Sequence, residues 1–347
     1  MILDHGDKVV RVRCSIRPTG PLRVTDLRML VLSWLYSRQN EGDLILRIDD
    51  IHVDQDKPAA WENPMLEDLD WMGITYEEGP TPSAGDRGPF APYRQSLRPG
   101  QYLDAIKLLI GDQRAYLCLC HDNDCRCRHN PVPDIDTLVQ SKSPFKIRLH
   151  VPDHEIRMKD IVKKDVVIDS GKLRQIDNLI VFEDGEPSHE FASAVDDWMM
   201  SVTHILTAEA DLYDATMKQL VIREALGHET LETGHVPPLL GVNGEHVADN
   251  EFVNTTIASL REGGYLAPAI VFHLILPQTE IEESVSSEGL SHLFRIDYFS
   301  GGDSIYNPDR LKWINGRYLE SMGLSDMFHQ MLPLLVESGY SMSDTTR

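Results

Sequence analysis

Lys8-Val-Val-Arg-Val-Arg-Cys14 runs into a Pro18-Thr-Gly20 turn. The apolar segment Met29-Leu-Val-Leu-Ser-Trp-Leu-Tyr36 follows, and then Gly42-Asp-Leu-Ile-Leu-Arg-Ile-Asp49. The first piece alternates polar and apolar side chains, which is the period of a strand with one buried face. Pro and Gly punctuate its end. The second piece predicts a helix of about two to three turns, and the third a second strand. Strand, helix and strand in that order open a parallel α/β sheet, whose ligands lie at the carboxyl ends of the strands.

Outward from that unit, the chain of 347 residues is long enough for two or three domains with cores of their own. No apolar run approaches the roughly 18 residues that would span a bilayer. Met1-Ile-Leu-Asp-His-Gly-Asp-Lys8 lacks the basic and apolar regions of a signal peptide, so a cytoplasmic protein is expected. With 55 acidic against 33 basic residues, the net charge is −22. Nucleic-acid binding draws on Lys and Arg displacing counterions from phosphates. That footprint is missing overall and is left to a local basic patch.

Helical patterns recur at Ala59–Met72, Pro99–Ile110 and Met217–Leu226. Residues 116–185 change character, with four cysteines and short strand candidates such as Phe145-Lys-Ile-Arg-Leu-His150. The α/β pattern resumes at Phe191, and the last stretch is helical before the polar tail Ser341–Arg347.

Several further segments carry a resemblance. Arg47-Ile-Asp-Asp50, Leu69-Asp-Trp-Met-Gly-Ile-Thr-Tyr-Glu-Glu-Gly-Pro80 and Pro92-Tyr-Arg-Gln-Ser96 stand in order along the chain. Asp196-Asp197 through Thr203-His204, Lys218-Gln-Leu220, Glu224-Ala-Leu-Gly227, Pro237–Gly244 and Tyr306–Asn315 follow them. In sequence and spacing the chain resembles glutamyl-tRNA synthetases, class I aminoacyl-tRNA synthetases, over residues 8–335. The resemblance implies an α/β, Rossmann-like catalytic fold. Its expected parts are 1–107 as the first half, 108–187 as an inserted acceptor-binding-like domain, 188–250 as the second half and 251–347 as a helical stem-contact-like region. Full-length members continue into an anticodon-binding region, and by resemblance a chain without it is expected.

The resemblance also exposes what differs. The family's HIGH-type motif holds a triphosphate at a helix amino terminus, where free N–H groups and the helix dipole favour anions. Here that motif reads Arg23-Val24-Thr25-Asp26. Thr25 places a branched side chain where the adenine lies, and Asp26 brings a negative charge. At about 5 Å and an effective dielectric of 20, each like-charge pair costs about 3 kcal/mol. A cap is the other reading of Asp26, and it too would occupy N–H groups that a phosphate needs. The second signature, a KMSKS-type loop of cations for the leaving pyrophosphate, reads His246-Val-Ala-Asp249-Asn250. Asp249 reverses the sign at the lysine position.

By resemblance, the amino-acid pocket comprises Arg13, Arg17, Asp49, His189, Ser193 and Thr207. Arg13 and Asp49 stand where the family holds the substrate's carboxylate and ammonium groups. Arg17 replaces a serine, His189 a tyrosine and Thr207 an arginine. The cluster of Arg11, Arg13, Arg17, Arg23 and Arg28 suggests a local anion site, with Arg11 and Arg28 expected to pair with surface carboxylates. Cys118, Cys120, Cys125 and Cys127 have the ligand number of a structural zinc site, with His121 or His129 as a possible substitute. Cys14 is expected in the core. The substitutions in the two signatures disfavour ordinary binding of ATP with Mg²⁺.

The expected function is a synthetase-like protein that has lost aminoacylation. It would act by binding a protein partner, a tRNA acceptor stem or a small anion. A repurposed adenylation or aminoacyl-transfer enzyme is one alternative, and a functional ligase is another.

Overall fold

The computed structural model describes residues 9–54, 56–82, 85–120, 127, 135–141, 144–249, 255–275, 294–302 and 304–337. It opens with β1 (Arg11–Ile16), α1 (Val24–Gln39), β2 (Asp43–Ile48) and α2 (Asp56–Trp71). The small hairpin β3 (Gly79–Thr81) and β4 (Gly85–Arg87) and the helix α3 (Pro99–Gly111) follow. Next come β5 (Ala115–Cys118), α4 (Ile135–Ser141), β6 (Lys146–Leu149), β7 (Ile156–Asp160), β8 (Lys164–Ile168) and α5 (Ser170–Leu173). The chain continues through β9 (Ile180–Glu183), β10 (Glu186–Pro187), α6 (His189–Met199), β11 (His204–Ala208), α7 (Met217–Ala225), β12 (Glu232–Val236) and β13 (Leu239–Gly241). It ends with α8 (Ile257–Glu262), α9 (Ala267–Ile275), β14 (Ser304–Tyr306), α10 (Pro308–Ser321) and α11 (Leu324–Glu337).

The principal sheet has the order β2-β1-β11-β12-β7-β8. Its first five strands run parallel, and β8 closes the edge antiparallel to β7. The connection from β1 through α1 goes to one side, whereas β11 lies on the other. The strand order therefore reverses between β1 and β11, the place where sheets of this kind open a ligand crevice.

Burial along β1 alternates strictly, with Val12, Cys14 and Ile16 buried. Those three share a core with Leu27, Leu30 and Val31 of α1 and with Leu44, Leu46 and Ile48 of β2. Cys14 lies in this core, where burial pushes its thiol up to about 12. The other face of β1 presents Arg11, Arg13 and Ser15. Register then carries that face across the sheet, since Ser15 pairs with Arg47, Arg13 with Ile205 and Ile205 with Thr233. α6 and α7 pack together in a second core with Ile147, Leu149 and Val181 of the second sheet, whose order is β10-β9-β6-β5.

The segment 108–187, expected as one inserted unit, is shared between the two sheets. Its β5, β6, β9 and β10 build the second sheet, while the β7–β8 hairpin extends the principal one. Arg28 departs from its expected role. It is 3% exposed and donates to the Pro237 carbonyl at 2.7 Å and to Ser304 Oγ at 2.8 Å. Its guanidinium lies over the Phe299 ring at 5.6 Å, and burial lowers it to about 10. It pins α1 to the strands that follow it rather than pairing with a surface carboxylate. Arg11 does pair with carboxylates, Asp43 and Glu78, each at 2.8 Å. Glu78 is itself buried. Among the described residues, no helix is long and apolar enough to cross a membrane.

Candidate functional site

At the reversal point between β1 and β11 lies a cavity of about 290 Å³. The sheet contributes Arg13, Ser15, Asp49, Ile205, Thr207 and Thr233, all on the face that the register aligns. α6 adds His189 and Ser193, one turn apart. α7 and the π turn before it (Leu212–Thr216) add Thr216, Gln219, Leu220 and Arg223. Spacings of three, four and seven put those side chains on one helical face. Five of the six expected pocket residues thus share one cavity. The sixth, Arg17, is exposed beyond the end of β1 and is absent from the lining. Its charge reaches His189, whose ring burial drives below its usual range, with Arg47 and Arg17 adding to the effect.

Under the cavity runs an ionic network centred on the fully buried Arg47. Arg47 donates to Asp49 at 2.6 and 3.1 Å, to Asp197 at 2.8 Å and to Ser193 Oγ at 3.0 Å. Arg13 holds both oxygens of Asp197 at 3.1 Å and reaches Ser15 Oγ at 3.0 Å. Burial pushes the Asp49 and Asp197 carboxyls up, but these guanidiniums more than reverse it, and both finish below the usual carboxylate range. Asp196, bonded by Arg98, Gln95 and Tyr102, finishes above that range because its burial outweighs them.

A second buried chain was not apparent in the sequence. His235 Nδ1 bonds Asp160, and His235 Nε2 lies 2.9 Å from Thr216 Oγ1 on the cavity wall. Asp160 also accepts from the amides of Val162 and Lys163 at 2.8 and 2.7 Å. Burial raises the Asp160 carboxyl, and these bonds bring it below its usual range. Asp160, His235 and Thr216 thus form one hydrogen-bonded chain that runs from the sheet to the cavity wall.

The start of α1, where the resemblance places the triphosphate, looks different. Asp26 sits at the third position of α1, and its carboxylate accepts from the Arg23 N–H at 3.3 Å. The next amide, Val24 N–H, donates to the Thr255 carbonyl at 3.1 Å. Thr25 is half-buried beside them. Two amides at this helix start are thus committed to the protein's own oxygens. His246 makes an isolated bridge to Leu240, and Val247–Asp249 forms a single 3₁₀ turn with Asp249 exposed. Thr207, where the resemblance expects an arginine, donates its hydroxyl to Asp211 at 2.6 Å.

Residues 9–313 match the family described as tRNA synthetases class I (E and Q), catalytic domain. The chain belongs to that family. It is 31% identical to a glutamate–tRNA ligase of Moorella thermoacetica and 32% identical to one of a Sulfurihydrogenibium species. Those alignments cover 95% of this chain in each case, and 70% and 72% of the relatives. The crystal structure of the glutamate–tRNA synthetase from Elizabethkingia anophelis superposes with a TM-score of 0.79 at 25% identity, over 97% of this chain and 76% of that one. The fold is therefore that of the class I glutamate–tRNA synthetase catalytic domain.

Away from the cavity, the sulfurs of Cys118, Cys120 and Cys127 lie within 4.8 Å of one another and are placed to hold a metal ion. Cys120 and Cys127 are 3.4 Å apart. The fourth expected ligand, Cys125, and the candidates His121 and His129 lie outside the described residues.

Proposed function

We propose that this member of the synthetase family keeps the amino-acid cavity and has lost the triphosphate site. It works by binding a small anionic ligand, and a tRNA acceptor end is the partner that the family membership favours. The observation that carries this reading is the α1 start, where Asp26 accepts the Arg23 amide and Thr255 takes the next. A phosphate would have to displace both while facing a carboxylate. Asp249 adds the wrong sign where the family's transition-state cation belongs, and losing one such donor typically costs 10²–10³ in rate. A second reading, a repurposed adenylating or aminoacyl-transfer enzyme, draws on the persistence of the cavity with Arg13, Asp49 and Ser193 in place.

The two readings separate in an assay of amino-acid-dependent pyrophosphate exchange into ATP. We expect no exchange above the no-enzyme control with glutamate or any other standard amino acid. A robust rate with any of them moves the enzyme reading ahead.

We also propose a structural zinc ion at Cys118, Cys120 and Cys127, completed by Cys125 or one of the two histidines. Thiolates around tetrahedral zinc at 2.3 Å lie about 3.8 Å apart, which the three described sulfurs approach. Zinc is expected to copurify at about one equivalent and to be required for the integrity of residues 116–130. Metal-free protein from a chelator-free preparation, with four readily titrated thiols, would refute it.

A further inference from the structure

Arg223 is 4% exposed and lines the cavity, yet no carboxylate lies within ion-pair distance of it among the described residues. Its Nε and Nη2 both donate to the Glu229 carbonyl, at 3.0 and 2.6 Å. Its Nη1 has only the Ala194 carbonyl at 3.5 Å, the outer limit of a hydrogen bond. The other guanidiniums here are matched, Arg13 by Asp197 and Arg47 by Asp49 and Asp197. Both of those carboxylates are thereby committed. The remaining acid of the lining, Asp211, is half-buried and accepts from Thr207.

A buried cation with no direct ion pair, acted on by Asp197 and Glu229 only through space, is costly, and it is retained where something else supplies the charge. Thr207 and Arg223 line the same cavity, one from β11 and one from α7. The family's arginine is missing at the first position, and an arginine lines the space from the second. We propose that Arg223 binds the carboxylate of the ligand in this cavity and sets its preference for a singly charged acidic group. Asp211 on the lining disfavours a second negative charge, so a carboxylate suits the site better than a phosphate. Thr216 lines the cavity beside Asp211, and its hydroxyl oxygen can accept from the ligand's donors.

This assignment rests on the reading that the cavity binds a small anionic ligand. Calorimetric titrations of the whole chain without nucleotide test it, using L-glutamate, L-glutamine and O-phospho-L-serine. Glutamate and glutamine match in shape and differ in the charge at issue. A charged hydrogen bond of this kind supports a preference for glutamate of about 10-fold or more. In Arg223→Gln that preference is expected to fall within about twofold, through loss of glutamate affinity with glutamine affinity unchanged. Arg223→Lys keeps the charge and should retain part of the preference. A merely structural Arg223 would lower stability and move both ligands alike.

A parent protein without the preference, or one that binds none of the three probes, overturns the proposal. So does a preference that survives in Arg223→Gln, or tighter binding of O-phospho-L-serine than of glutamate. If Arg223→Gln does not fold, the parent's glutamate-to-glutamine ratio and the Arg223→Lys variant still decide. Pyrophosphate exchange uses ATP and these titrations do not. A positive exchange result therefore removes the proposed loss of activation while leaving Arg223 its role, and the converse also holds.

Discussion

ATP·Mg²⁺ is expected to bind the combined variant Arg23→His, Thr25→Gly, Asp26→Gly, Thr207→Arg and Asp249→Lys about 10²-fold more tightly than the parent. The figure follows from removing one like-charge contact worth about 3 kcal/mol. The Asp249 change adds a cation to the loop facing the triphosphate. The geometry at α1 says where the gain arises. With Asp26 gone, the Arg23 amide loses its 3.3 Å acceptor and faces solvent or phosphate. The Val24 amide stays with Thr255, so the cradle is restored only in part. Asp26→Asn separates charge from capping, because the amide oxygen still accepts while the charge is removed. If charge dominates, Asp26→Asn recovers most of the single-site gain; if capping dominates, it recovers little. Efficient glutamylation is not expected from the combined variant, since His189 and Arg223 leave the cavity altered. Groups that act as a unit respond non-additively, so single reversions should each do little. Isothermal titration of parent and variant measures the effect. Equal ATP affinity in the two would remove the argued cost of Asp26 and Asp249 and favour the enzyme reading.

What the sequence made legible was local. The alternation of Lys8–Cys14 and the apolar run Met29–Tyr36 located β1 and α1, because each pattern reports one element's own buried face. Helix α3 and helix α7 begin at the residues read as their starts, Pro99 and Met217. The family resemblance supplied five members of the cavity lining. Contacts between distant segments were hidden. Arg28 reads as a polar position on a surface helix until Pro237 and Ser304 close over it from more than 200 residues away. Arg223 and Thr216 carried a signal, seven residues apart on one face with Gln219 and Leu220 between them. That signal is indistinguishable from ordinary helix periodicity until α7 is known to face the sheet. Asp160 and His235 lie on adjacent strands whose pairing no local pattern announces. The β7–β8 hairpin was assigned with the insertion for the same reason, since which sheet it joins is decided by its neighbours.

The largest stability change is expected at Arg47, the fully buried hub beneath the cavity. Arg47→Met removes the counter-ion from three buried carboxylates, of which Asp196 keeps Arg98. Asp49 loses both of its guanidinium bonds, whereas Asp197 keeps Arg13. Breaking a buried pair from one side typically costs 3–5 kcal/mol, far more than an exposed ion pair contributes. A loss of about 4 kcal/mol is expected for Arg47→Met from urea denaturation at pH 7. Arg47→Lys should fall between, because an ammonium supplies charge but cannot span Asp49, Asp197 and Ser193 together. The sign of the acid response follows from the same contacts. Asp49 and Asp197 titrate lower in the folded chain than in the unfolded one, where about 3.9 is usual. Their contribution is fully present above that unfolded value and is lost as pH falls through the folded ones. In Arg47→Met the carboxyl of Asp49 is left with burial, which raises it, against only the more distant charges of His189 and Arg13. At Asp49 the variant should therefore release fewer protons on folding than the parent, and its stability should fall less steeply on acidification. Double substitution Arg47→Met with Asp49→Leu should recover part of the loss, since a buried pair replaced by apolar groups is often tolerated. A single Arg47→Met variant within about 1 kcal/mol of the parent would show that water or backbone reorganisation satisfies Asp49, and that the network does not hold the cavity floor together.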